Sequence, residues 1–156
     1  MKVESHLAKF RRLDTMLRRL DPLADQELWI WTAMNAGVHL LNAALHRRGV
    51  TSETDSFHTQ VEGVYVVLDP VGGGMHDRMH APGDIMHVEQ PKLDGPLPAA
   101  VERASNALRM IEDLREEFVR GPRRAEPHEA RQWEQAYESC VRELVSLLDE
   151  RREATT

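Results

Sequence analysis

Leu7, Phe10, Leu13, Leu17 and Leu20 recur at intervals of three and four among charged residues. That period predicts an amphipathic helix with one apolar face, ended by Asp21 and Pro22. The next segment, Leu28 to Arg48, is apolar around most of its circumference and predicts a central, buried helix. Asp25 is a natural N-cap for it, and Gly49 a natural stop after Arg47 and Arg48, whose charges suit a helix C-terminus. One stripe breaks the apolar pattern: Thr32, Asn35, His39, Asn42 and His46, spaced three and four apart and so on a single helix face. Amide and imidazole groups turned toward a packed interior cost roughly 1 to 3 kcal/mol each without partners. The stripe is therefore expected to form a polar seam, a ligand site or a partner surface.

A third helix is predicted from Asp55 or Ser56 through Leu68, with Phe57, Val61, Val64, Tyr65 and Leu68 on its apolar side, although the run Val64 to Leu68 also suits a strand. From Pro70 to Pro98 glycine, proline, histidine and methionine dominate, which predicts a long loop of the kind that is usually functional. Pro98 opens a fourth helix through Val119, stopped by Gly121 and Pro122, and a last helix is expected from about Pro127 to Arg152. The fold class read from this order is all-α: one domain over residues 1–156, an antiparallel bundle of four to five helices carrying one His/Met/Gly/Pro-rich loop at about residues 70–98.

Charge and composition narrow the partners. A formal charge of -6 argues against a polyphosphate binder, so nucleic acid is not the expected partner. Arg11, Arg12, Arg18 and Arg19 gather on the first helix, and are read as a solvated face. Cys140 is the only cysteine; no internal disulfide can form, and a buried thiol in a reducing cytoplasm is the expectation. The charged start of the chain lacks the apolar stretch of an export signal, and Leu28 to Leu45 is too interrupted for a membrane span. A phosphate-binding loop, a dinucleotide fingerprint and a Gly-x-Ser-x-Gly elbow are all absent, since Gly72, Gly73 and Gly74 run into Met75.

Histidine is the one enriched chemical group, with eight in 156 residues. Imidazole nitrogen and carboxylate oxygen converge on zinc or another first-row divalent ion at about 2.0 to 2.2 Å, so clustered histidines and carboxylates are candidate ligands. His76, Asp77, His80 and His87 lie close together in the long loop. His39 and His46 stand two helical turns apart, about 10.5 Å along the axis, too far to chelate one ion together. A tighter set pairs His46 with His58 and Glu62, brought back by the short connection to the predicted third helix.

The string Trp31, Thr32, Ala33, Met34, then Val38, His39, Leu40, Leu41, Asn42, Ala43, Ala44, Leu45 and Gly49, followed by His58 at the predicted start of the next helix, resembles the HEPN-like helical domains over roughly residues 28–119. The resemblance implies an antiparallel helical bundle that commonly dimerises, in some members a ribonuclease with an Arg-x4-6-His motif late in the fold. Here the fourth helix carries Arg103, Arg109 and Arg115 but no histidine, and the only late pair, Arg123 and His128, sits among Pro122, Glu126 and Pro127. The leading expectation is a non-catalytic, HEPN-like interaction module or accessory subunit, a homo-oligomer or the companion of another protein. The competing one is a divalent-metal site, hydrolytic in character, built from the clustered histidines; ribonuclease action ranks third.

Overall fold

The computed structural model describes residues 1–53, 58–61, 64–68, 75–79, 84–85 and 97–149. Four helices form the body: α1 (Val3–Leu17), α2 (Gln26–Arg48), α3 (Ala99–Arg115) and α4 (Pro127–Asp149). Helix α2 packs against all three others, as its near-continuous apolar circumference requires. The core has two ends. At one, Val3 of α1 meets Leu40 to Leu45 of α2, Val101 to Leu108 of α3 and Cys140 to Leu148 of α4. At the other, Leu17, Trp29 to Ala36, Ile111 and Phe118 close on Trp133 and Tyr137. Each helix thus runs opposite to the one before it, the up-down-up-down order of a bundle. Cys140 is fully buried there, and burial pushes its thiol up to about 12. Among the described residues no helix is long and apolar enough to cross a membrane.

The predicted stop of α2 is present in detail. Gly49 adopts φ 69°, its N–H bonds the His46 carbonyl at 3.0 Å, and the Val50 N–H reaches back to Leu45 at 3.0 Å, the paired bonds of a Schellman motif. Asp25 occupies the cap position, but its carboxylate accepts the Asp21 N–H at 3.0 Å instead of capping α2.

Between α2 and α3 the structure departs from the predicted third helix. His58–Val61 (β1), Val64–Leu68 (β2) and Met75–Met79 (β3) form an antiparallel sheet in the order β1-β2-β3, with Val66 opposite both His58 and Asp77. Five consecutive β-branched, aromatic or leucine positions at Val64 to Leu68 fit a pleated surface better than a helix turn, and Gly63 and Pro70 on either side are helix breakers. The long loop, in turn, holds β3.

At the far end α3 passes into a π-helical turn, Glu116–Arg120. Its irregular hydrogen bonding is completed by Gln26, a buried amide at the first position of α2: Nε2 donates to the carbonyls of Phe118 at 3.0 Å and Arg123 at 2.8 Å, while Oε1 accepts the Ala125 N–H at 3.1 Å. A Gln26→Leu substitution orphans three backbone groups at once. We expect it to lower unfolding free energy by about 2 to 4 kcal/mol, read from urea melts.

Candidate metal centre

Helix periodicity sets His6 on the same face of α1 as Val3, Phe10, Leu13 and Leu17, so the turn that buries these leucines also drives an imidazole into the α1–α2 seam. There it meets two histidines of α2, with ring centroids 5.2 Å from His39 and 5.3 Å from His46. The third component comes from the connecting segment. Asn42, buried one turn before His46, holds that segment by its backbone: the amide Nδ2 donates to the Ile85 carbonyl at 2.9 Å and Oδ1 accepts the Ile85 N–H at 2.6 Å. This reciprocal pair, with the Ile85 side chain packed on the core, fixes the neighbouring Asp84 above the two buried rings.

His6 Nε2 and His46 Nε2 both donate to Asp84 Oδ1, at 3.1 and 2.6 Å. The amino group of Met1 donates to both carboxylate oxygens, at 2.9 and 2.8 Å. Burial alone would push the Asp84 carboxyl up; hydrogen bonds from His46, His6 and that amino group outweigh it and hold the carboxyl well below the usual carboxylate range. Asp84 is therefore an anion between two imidazoles. Burial first, then electrostatic interaction with His6 and with Lys9, lowers His39 to about 4, so at neutral pH this ring is uncharged and one of its nitrogens is an acceptor.

The outer nitrogens are bonded as well. His6 Nδ1 lies 2.9 Å from His39 Nδ1, and His46 Nδ1 lies 2.6 Å from Thr51 Oγ1. A neutral imidazole and a hydroxyl are the two side-chain groups that can either donate or accept at one atom. When His6 and His46 direct Nε2–H at Asp84, their Nδ1 atoms accept from His39 and Thr51. When the Nε2 lone pairs face a cation instead, the protons sit on Nδ1 and are donated to the same two partners. Both arrangements leave every ring nitrogen satisfied, and the second is the outer shell that orients metal-bound histidine.

His6, His46 and Asp84 can hold a metal ion. One ligand atom from each lies within 4.8 Å of the others. An ion held there would replace the hydrogen bonds of His6 and His46 to Asp84, and the Met1 ammonium, bonded to both carboxylate oxygens, would give way.

The polar stripe of α2 divides. Its C-terminal half, His39, Asn42 and His46, builds this centre, whereas Thr32 is buried lower in the helix and Asn35 is exposed, with its amide returned to the Trp31 carbonyl at 2.7 Å. It is thus not one continuous seam. Of the predicted ligands, His46 is the one found in the cluster among the described residues. His58 lies on β1, and His76 and Asp77 on β3; Glu62, His80 and His87 fall outside the described residues. The expected pairing of His46 with His58 and Glu62 supposed a third helix; His58 lies on a strand instead, and Glu62 is outside the described residues. Arg123, half of the late Arg–His pair, is engaged by Glu117 and by Glu129 at 2.6 Å and stacks on Phe118, 4.6 Å from its ring centre.

Fold and site together define a four-helix bundle with a two-histidine, one-carboxylate cluster between α1, its central helix and the segment that follows. No protein-family model, curated protein or solved structure matches this chain.

Proposed function

We propose that this protein binds one first-row divalent ion, zinc foremost, through His6 Nε2, His46 Nε2 and Asp84, and uses the ion's remaining positions for water or a small substrate. What supports the reading is the convergence of both histidine Nε2 atoms on a single Asp84 oxygen, with a reversible hydrogen-bond partner behind each ring. A lone structural ion pair requires none of that outer bonding. Two nitrogens and one oxygen form a borderline donor set that suits zinc, iron(II) or manganese(II) above magnesium, and three protein ligands are the number that leaves a zinc ion open. A zinc ion so held would polarise a carbonyl or phosphoryl oxygen and acidify bound water, the chemistry that hydrolysis uses.

Mass action gives a direct test. Zinc at about a hundredfold excess over its Kd stabilises the native state by about 2.7 kcal/mol, or roughly 5 to 10 °C in Tm for a chain of this size, and excess chelator reverses the shift. Magnesium leaves Tm unchanged. An equal response to both ions, or to neither, would count against the assignment.

A further inference from the structure

Two of the three groups in the cluster are delivered by helices, His6 by the turn of α1 and His46 by that of α2. Asp84 is not. It lies 38 positions beyond His46 and belongs to none of the described helices or strands. The entropic cost of closing so long a connection falls on whatever brings its backbone to α2. Among the described residues, the group that holds this backbone is the Asn42 side chain, through Ile85.

Asn42 precedes His46 by four residues, so one helix face presents both the imidazole and the carboxamide. An asparagine offers one acceptor oxygen and a two-proton donor, and here both protons are used. Nδ2 donates to the Val38 carbonyl of its own helix at 3.0 Å and to the Ile85 carbonyl at 2.9 Å, while Oδ1 accepts the Ile85 N–H at 2.6 Å. The bond to Val38 pins the buried carboxamide to α2, and the other two pair with the backbone of one residue as a neighbouring strand would. The half-buried Ile85 side chain packs on the core beside them. None of these contacts reaches the Asp84 carboxylate, yet together they set where it stands.

We infer that Asn42 is a positioning residue of the metal centre, and that the seating of Asp84–Ile85 on α2 and the loading of the ion are one linked equilibrium. This rests on the metal reading above and adds to it how the site is regulated. With Ile85 seated on Asn42 the ion has three ligands; with Ile85 lifted, Asp84 is withdrawn and two imidazoles remain. Linkage is reciprocal, so the factor by which seating tightens the ion is the factor by which the ion tightens seating. That factor is about 10- to 100-fold, the usual range for an outer-shell partner. It is the surplus of the ion over the hydrogen bonds from His6, His46 and the Met1 amino group that it displaces from Asp84. Whatever lifts Ile85 from Asn42 therefore releases the ion.

Amide hydrogen exchange of the whole chain, with and without saturating zinc, reads the link at one atom. The Ile85 N–H exchanges about 10- to 100-fold more slowly when zinc is bound. The Ala125 N–H is the control. It too is held by a buried side-chain amide of α2, Gln26 Oε1 at 3.1 Å, but Gln26 is sixteen residues from Asn42, about 24 Å along the helix, and its exchange does not change. Asn42→Leu, followed by chelator competition, weakens zinc about tenfold or more in the parent chain and adds nothing to the loss in Asp84→Ala; a merely structural asparagine costs the same in both backgrounds. The exchange measurement needs no variant, so it decides even where Asn42→Leu does not fold. Zinc bound with no slowing at Ile85, an equal slowing at Ile85 and Ala125, or additive losses in the two variants would overturn the linkage alone. No zinc held by the parent chain in equilibrium dialysis would overturn the metal reading itself.

Discussion

Replacing His46 by alanine is expected to weaken zinc binding by about 100- to 1,000-fold, measured by competition with a chromophoric chelator. The magnitude follows from dividing the roughly 10 to 16 kcal/mol of a four-ligand zinc site among its ligands. Among the described residues no other imidazole takes its place: His46 is the α2 imidazole bonded to Asp84 Oδ1, while His39 stands behind His6 and bonds that ring. Thr51→Val, which removes the hydroxyl behind His46 and keeps its shape, is expected to cost about 10- to 100-fold, the usual range for an outer-shell partner. The ordering of these two variants separates a metal centre from a buried hydrogen-bond cluster. In a purely structural cluster both would shift Tm and neither would grade zinc affinity.

The second large effect concerns the packing that places the site. At Gly37 α2 leaves room for a side chain of α3: a Cβ built there stands 2.1 Å from Leu108 Cδ2 and 3.0 Å from Cδ1, and Leu108 is fully buried. Glycine costs a helix interior about 1 kcal/mol relative to alanine, so this residue is retained for space and not for propensity. Inserting extra methylenes into a packed core costs typically 1 to 3 kcal/mol. A Gly37→Leu side chain overlaps the neighbour along its whole length, and we expect at least about 3 kcal/mol of destabilisation in chemical melts. Adding Leu108→Ala should restore part of that loss, a coupling that independent sites do not show. Additive losses would place the strain elsewhere.

The bundle was legible because its signals are local. The three-to-four spacing of Leu7, Phe10, Leu13 and Leu17, the apolar circumference of α2 and the Gly49 stop each act within a turn or two, and the helices follow them. The segment around Val64 to Leu68 was ambiguous because five apolar residues carry no period; β-branching decided it for a strand.

The cluster of His6, His46 and Asp84 was half legible. His39, Asn42 and His46 announced themselves as polar interruptions of a buried face. His6 carried a signal of the same kind, a polar residue in register with Val3, Phe10 and Leu13, and would have been found by applying to α1 the test applied to α2. Asp84 carried none. A single aspartate after Pro82 and Gly83 joins the two histidines because Asn42 pairs with the backbone of Ile85, a contact across 43 residues that no local pattern encodes. Gln26 is similar, an unremarkable polar residue whose three partners lie more than 90 positions away.

The central claim is that three side chains from α1, α2 and the connecting segment hold one ion. Elemental analysis of zinc-loaded, exhaustively dialysed protein, with X-ray absorption at the zinc edge on the same sample, tests it most directly. The account predicts one zinc per chain with two imidazole nitrogens in its first shell, and loss of that zinc in a His6→Ala, His46→Ala, Asp84→Ala triple variant that remains helical. Zinc retained by the triple variant, or none held by the parent chain, would contradict it.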